Sequence, residues 1–303
     1  MTIEERIRYK IGREIINYQQ RHLTHENFGG KTNLSVDEAN LRITELIRSG
    51  KPFDVVRMGL SELQFLSVHT GATKMPEGFF YGLWIKNLMQ SKEEADRFIR
   101  LYLDACEDAD MIAVWYYSFA EDLLMKVHAA QADFCPATVV EPYYLEDPWI
   151  RACEGKKVLV VNPFAQTIVN QYRRRMEIYP NGLLPEFELK AIPSVWYNTR
   201  EGNGQFESWF DALDYLKRSV EKVDFDIALL GCGPFGTPLT HYIKQMGKQA
   251  VYIGGALQIL FGIRGSRWDH VPDVKKLYNE AWVSPGEDNK PVTTENLDDN
   301  CYW

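Results

Sequence analysis

Seven short apolar runs of strand length, separated by segments of helical periodicity, constrain this chain more than any other feature. They fall at Asp54–Met58, Asp110–Trp115, Thr138–Glu141, Lys157–Asn162, Glu188–Ile192, Asp226–Leu230 and Ala250–Ile253. Between them lie helical patterns with their own start signals. Ser35 with Glu38, Ser91 with Glu94 and Ser118 with Glu121 have the spacing of capping boxes, and Gly50 stops the first of these helices. Further helices are expected over Gln166–Glu177, Trp209–Lys222 and Pro238–Met246. Strands joined by helices rather than by tight hairpins belong in a sheet covered on both faces. The expected fold is therefore α/β, a Rossmann-like and mostly parallel sheet with helices on both faces.

Ahead of the first strand, Ile3, Ile7, Ile11 and Ile15 recur every four residues as a helical stripe, and Phe28-Gly29-Gly30 interrupts the chain after it. Residues 1–34 thus read as an N-terminal helical extension packed on a single domain over 35–303. The stretch Ser284–Asn300 is polar and punctuated by Pro and Gly, as in a surface arm.

Composition removes several function classes. At 303 residues the chain can bury a large core, roughly 75% of its unfolded surface. The net charge of −8 argues against nucleic-acid partners and against a polybasic membrane anchor. The charged start, Met1-Thr-Ile-Glu-Glu-Arg, has no apolar h-region, so no signal peptide is expected. Ala250–Ile263 is the longest nearly apolar run; it is too short to span a bilayer and holds Gln258 and three glycines. Five scattered cysteines, never spaced as CxxC, read as reduced thiols of a cytoplasmic protein. There is no HExxH, GxSxG or Walker A sequence. Arg173-Arg174-Arg175 reads as a solvated helix face.

Chemistry concentrates at glycine-rich strand ends. Asp226-Ile-Ala-Leu-Leu-Gly231-Cys-Gly233-Pro-Phe-Gly236-Thr237-Pro238 is a strand, a G-x-G-x-x-G turn and a helix start, with Thr237 at the N-cap position and Gly247 as the stop. Such a turn can receive a phosphate, or it can simply let the backbone reverse. A dinucleotide site needs an acid at the end of the next strand. That strand ends in Gly254-Gly255 with no Asp or Glu, so NAD is not expected. Gly254-Gly255-Ala-Leu-Gln258 forms a second glycine turn, which shares a rim with the first if the two strands are neighbours. Arg264 and Arg267 follow, placed to clamp a diphosphate, with Trp268 as a stacking face.

A third site lies at Arg57-Met58-Gly59-Leu60-Ser61-Glu62. Arg57 sits in an otherwise apolar strand, where an unpaired charge is costly, so it needs a carboxylate or a ligand phosphate. Glu62 is a candidate partner, metal ligand or general base. Ser61 with Gln64 also has the capping-box pattern, which would make Glu62 an ordinary first-turn acid. Trp115, Tyr116 and Tyr117 at another strand end read as rim packing that could line a pocket.

These residues carry a resemblance. Phe225–Gly233 and Gly254–Trp268, together with Asn162-Pro-Phe164, Thr167-Ile, Gln171-Tyr, Leu184-Pro-Glu-Phe-Glu-Leu189, Asn279-Glu-Ala-Trp282 and Cys301-Tyr-Trp303, resemble bacterial GT-D-fold-like proteins associated with surface-polysaccharide biosynthesis. Arg57-x-Gly59-x-x-Glu62 is similar to the Arg-x-Gly-Asp-x-Glu motif of GT-D glycosyltransferases. The resemblance spans roughly 35–303. It implies a glycosyltransferase taking a nucleoside-diphosphate sugar as donor and a glycan or lipid-linked molecule as acceptor. It also implies a divalent cation, Mn²⁺ or Mg²⁺, held by an Asp-x-Glu pair. Glu62 matches the second acid of that pair, and the first falls on Leu60, which cannot bind a metal.

The implied site has Glu62 and Arg57 as catalytic groups. Its donor rim consists of Gly59, Gly231, Gly233, Gly236, Gly254, Gly255, Gln258, Arg264 and Arg267. A non-catalytic nucleotide-sugar-binding or scaffold subunit is the alternative. The sequence is compatible with a homo-oligomer.

Overall fold

The computed structural model describes residues 3–74, 83–197, 205–286 and 302. One seven-stranded sheet runs through them, in the order β3-β2-β1-β7-β6-β4-β5, with every neighbouring pair parallel. The strands are β1 (Phe53–Arg57), β2 (Met111–Val114), β3 (Asp133–Pro136), β4 (Lys157–Val161), β5 (Glu188–Ile192), β6 (Ile227–Leu230) and β7 (Gln249–Tyr252). β1, β2, β6 and β7 are buried along their whole length, as strands covered on both faces are. The fold is α/β with a parallel sheet.

Helices α1 (Ile3–Gln20), α2 (Val36–Ser49), α3 (Leu60–His69), α4 (Lys92–Glu107), α5 (Phe119–His128), α6 (Ala165–Tyr172), α7 (Arg175–Ile178), α8 (Trp209–Glu221), α9 (Gly236–Gln245), α10 (Leu257–Leu260) and α11 (Pro272–Lys275) surround the sheet. The start signals act as read. Ser35 and Glu38 form a complete capping box on α2, and Gly50 ends it at φ 67°. Ser91 caps α4 and Ser118 caps α5. Each such cap stabilises its helix by about 1 kcal/mol.

Apolar side chains fill both faces of the sheet. One core gathers Phe65, Phe98, Trp209 and Phe235; the other gathers Trp149, Phe164, Tyr172 and Phe261. Trp209 and Phe235 stack with ring centroids 5.0 Å apart, which pins the turn after β6 from beneath. At the opposite end of the strands, the Asp54 and Asp110 carboxylates each accept the other residue's backbone N–H, and Lys244 lies 3.5 and 3.1 Å from them.

Three expectations are corrected. Thr138–Glu141 is not a strand: Ala137–Val140 and Pro142–Tyr144 are 3₁₀ turns, and the strand lies earlier, at Asp133–Pro136. Pro136 ends the ladder, and the Val139 carbonyl is taken by Trp149 Nε1 at 2.8 Å. The helix expected over Gln166–Glu177 is broken between α6 and α7. Gln171 turns inward there to donate to Gly262 O and Ala281 O, and Tyr172 donates to Pro185 O and Phe187 O.

α1 is also rotated from the expected orientation. Ile7, Ile11 and Ile15 are exposed, whereas Gly12 and Ile16 are buried. Most of the stretch Ser284–Asn300 lies outside the described residues. Among those residues no helix is long and apolar enough to cross a membrane.

Candidate ligand-binding site at the strand ends

The carboxyl ends of β1, β2, β4, β6 and β7, with the segment after β5, surround a cavity of about 640 Å³. Parallel sheets place ligands at this edge because the loops there converge and leave a crevice. Gly12, Arg13, Ile16, Asn17 and Gln20 of α1 complete the wall.

Arg57, the last residue of β1, is buried in this wall. Its Nη1 donates 2.7 Å to Ile253 O, and its guanidinium lies 4.6 Å from the Trp115 ring centroid and 5.8 Å from that of Tyr252. No carboxylate among the described residues is within ion-pair distance, and the buried Nε has no hydrogen-bond partner. Glu141 acts on Arg57 only through its field, and its own carboxylate accepts the Tyr143 hydroxyl at 2.6 Å. A buried guanidinium in this state is costly until an anion reaches it.

The expected pairing of Glu62 with Arg57 does not occur. Gly59 is the N-cap of α3, Ser61 lies inside the helix, and the Ser61–Gln64 capping box does not form. Glu62 is buried at the third helical position and folds back over Gly59, where a Cβ would meet Glu62 Oε2 at 2.1 Å. It is the single carboxylate among the described cavity-lining residues, against the three guanidinium groups Arg13, Arg57 and Arg267.

The glycines divide by role. β6 and β7 are neighbours, so their two turns share one rim. A Cβ on Gly231 would lie 2.7 Å from Gly254 O and 2.7 Å from Asn162 Nδ2; only glycine permits that approach. Gly254, at φ 78°, leaves the space that the Arg57 guanidinium fills. Gly233 faces open space, and Gly255 meets Tyr302. Gly59, Gly231, Gly233, Gly254 and Gly255 line the cavity. Gly236 does not: its missing Cβ makes room for the Tyr252 ring. Thr237 is not an N-cap either, because its hydroxyl donates to Arg57 O and ties α9 to β1.

Beyond the glycines, Gln258 lines the cavity but spends its amide on Arg264 O at 2.8 Å and Tyr302 O at 3.3 Å. Arg267 is exposed at the mouth, 4.9 Å from the Tyr302 ring and 5.7 Å from that of Trp268. Arg264 is absent from the cavity wall: it donates to Asn279 O and lies over Tyr278.

Several lining residues were not among the sequence candidates. Asn162 donates to Gly231 O at 2.9 Å and accepts from Phe164 N–H, locking the β4 and β6 ends together. Trp196 and Tyr302 lie 6.2 Å apart at the mouth and Tyr252 also lines the cavity, beside Trp115 and Tyr117, which the sequence does mark as possible pocket lining. Such rings offer flat faces to a base or sugar. Asn162 stands just before Pro163 at a strand end, a local signal that could have marked it. Nothing local marks the α1 residues.

Behind the wall, Glu121 accepts the N–H of Trp115 at 2.9 Å and of Tyr117 at 2.6 Å, holding Tyr116 between them at φ 52°. Burial raises the Glu121 pKa to about 7 despite the downward pull of those bonds. Burial also holds the Cys232 thiol and the Tyr252 phenol in their protonated forms, so neither is a nucleophile near neutrality.

A divalent cation fits these residues poorly. No group of three potential metal ligands occurs among the described residues, and the cavity wall there offers one carboxylate beside three cations. The donor set suits an anion better.

No family model and no curated protein matches the chain. Among solved structures it is similar to one described as "The highly conserved domain of unknown function 1792 has a distinct glycosyltransferase fold". That pair shares 15% identity at a TM-score of 0.47, over 84% of this chain and 91% of the other. A selenomethionine-substituted structure of domain of unknown function 1792 gives 14% identity and the same TM-score, over 92% and 96%.

Proposed function

We propose that the cavity binds a nucleoside-diphosphate sugar and that the chain transfers the sugar to a hydroxyl acceptor, a glycan or a lipid-linked molecule, in surface-polysaccharide biosynthesis. The observation that carries the reading is Arg57, a buried guanidinium with an unpartnered Nε at the strand-end crevice. A diphosphate supplies the missing anion. Arg57 then neutralises it from below and Arg267 from the mouth, through charge-assisted bonds that strengthen as the leaving group gains charge. Glycine turns let the diphosphate approach the backbone, and Trp196 with Tyr302 receives a ring of the donor.

In the transfer, the acceptor oxygen bonds to the anomeric carbon as the bond from that carbon to the diphosphate oxygen breaks. Glu62 takes the hydroxyl proton. Arg57 and Arg267 share the diphosphate charge, a task for which the cavity wall offers no set of metal ligands among the described residues.

A binding or scaffold subunit without turnover is the second reading, favoured by Leu60 where a metal-binding acid would stand. Thermal melts against UDP-, GDP-, CMP- and dTDP-sugars, each with and without Mn²⁺, test both. A ligand at 100 times its dissociation constant adds about 2.7 kcal/mol of stability. Stabilisation by one donor class with sugar release supports transfer, stabilisation without turnover supports the scaffold, and no stabilisation by any donor removes both.

A further inference from the structure

A second groove, of about 470 Å³, lies against the first cavity and shares Ile16, Gln64 and Tyr117 with it. Its remaining wall is mostly apolar, including Ile15, Leu63, Ala72, Phe119 and Ala120, with Lys74 as its one cation among the described residues. The volume is that of an ordinary ligand pocket.

Gln64 stands at the junction of the two spaces. It is 6% exposed, and its Nε2 donates 3.0 Å to the Tyr117 hydroxyl oxygen. Its Oε1 is buried with no hydrogen-bond partner. An acceptor atom left unmade in this way is uncommon in a native interior and costs stability until a donor reaches it. Apolar surface also continues outward from the groove. On α1, Ile15 is followed at helical spacing by Ile11 and Ile7. On α5, Phe119 is followed by Leu123 and Val127, and all six are exposed. Gln19 accepts the Phe119 N–H and joins the two helices at that point.

The geometry points to this groove as the site for the apolar chain of a lipid-linked acceptor. The hydroxylated head of that acceptor reaches Gln64 Oε1 and enters the main cavity. This rests on the transferase reading and narrows its acceptor to a molecule with a hydrocarbon tail. The groove and the donor cavity meet at Ile16, Gln64 and Tyr117, which line both, so a tail lying in the groove brings the head to the side of the cavity that Glu62 also lines. A second copy of this chain is the competing occupant.

Hexyl, heptyl, octyl and nonyl β-glucosides, each titrated calorimetrically below its micelle concentration, test this. Burying each added methylene should tighten binding about fourfold. Phe119→Asp puts an acid at the first position of α5, a favoured place for it, so the variant should fold; its melting temperature checks that. The same series on Phe119→Asp and Ile15→Glu should lose the chain-length dependence, and Gln64→Met should weaken every glucoside by a similar factor.

Binding independent of chain length, or a dependence that survives in both groove variants, overturns the assignment. So does a concentration-dependent dimer that either variant abolishes while the glucosides fail to bind. Titrating the wild type with nucleotide-sugars in parallel separates the two readings. Chain-length-dependent binding without nucleotide-sugar binding refutes the transferase alone. Nucleotide-sugar binding without chain-length dependence refutes the groove alone.

Discussion

The Glu62 carboxylate occupies the space beside Gly59 that any other residue's Cβ would need, 2.1 Å from that position at Oε2. Gly59 has φ −69° and ψ 158°, a conformation open to alanine, so the backbone itself does not demand glycine. Gly59→Ala therefore displaces the Glu62 side chain while leaving the strand and helix in place. If Glu62 takes the acceptor proton, Gly59→Ala and Glu62→Gln should both lower kcat by about 10²–10⁴-fold, the usual range for losing a general base. Nucleotide-sugar affinity should change much less. Steady-state kinetics with a donor titration on both variants checks this; full activity in Gly59→Ala would remove Glu62 from the reaction.

Arg57→Met separates stability from binding. Methionine keeps an unbranched side chain beside Gly254 and removes a buried charge that has no carboxylate within ion-pair distance among the described residues. The ligand-free variant should be within about 1 kcal/mol of wild type, because the lost bond to Ile253 O and the lost ring contacts with Trp115 and Tyr252 are set against relief of the unpaired charge. Affinity for a nucleotide-sugar should fall by roughly 10–100-fold, the worth of a charge-assisted bond. Denaturant melts and calorimetric titration read the two effects separately. A large loss of stability with unchanged affinity would show Arg57 to be structural.

The last two glycines of the β6 turn should respond in opposite ways. Gly236→Ala drives a methyl into the Tyr252 ring, 2.2 Å from its nearest atoms, so it should cost about 1–3 kcal/mol of stability as overpacking does. Gly233 has φ 57° with nothing near its would-be Cβ, so alanine there should cost about 1 kcal/mol of backbone strain and place a methyl in the cavity. Ligand affinity should fall in Gly233→Ala and hold in Gly236→Ala when measured well below either melting temperature. The reverse pattern would place the ligand elsewhere.

Much of this was legible in the chain because it depends on local chemistry. Ser35 with Glu38 caps a helix wherever the fold puts it, and Arg57 stands out because a charge interrupts an apolar strand. What was misread depends on tertiary partners. Thr138-Val139-Val140 has strand composition, yet Trp149 takes the Val139 carbonyl and the segment coils. The isoleucine stripe of α1 reads as a buried face, but Gly12 and Ile16 are what the cavity and core accept. Arg264 and Arg267 look equivalent in sequence. After Gly262, at φ 68°, the chain turns one toward Asn279 O and the other toward the cavity mouth, and no local pattern encodes that split.

Glu121 couples the cavity wall to pH. Its pKa is raised from 4.5 to about 7, and burial outweighs the backbone bonds to Tyr117, Trp115 and Ser118 that favour the anion. Because the folded value lies above the unfolded one, the stability contribution is full below pH 4.5 and is lost as pH rises through 7. The integrated loss is about 3 kcal/mol. Glu121→Gln removes that slope. Wild type minus variant, compared by urea melts from pH 4.5 to 8, should decline over this window and be flat outside it.

Ligand binding should run the other way. Only the ionised carboxylate presents two full acceptors to the Trp115 and Tyr117 N–H groups, and those bonds hold Tyr116 at its positive φ. Wild-type nucleotide-sugar affinity should therefore weaken as pH falls below 7, while that of Glu121→Gln should be lower at pH 8 and lack this step. The neighbouring Asp122 carboxylate, which raises the Glu121 pKa, accepts the Gly29 N–H at 2.6 Å and is unchanged in the variant. A wild-type affinity that is flat from pH 5.5 to 8 would show that the loop keeps its shape without the anion, and that Glu121 serves the fold alone.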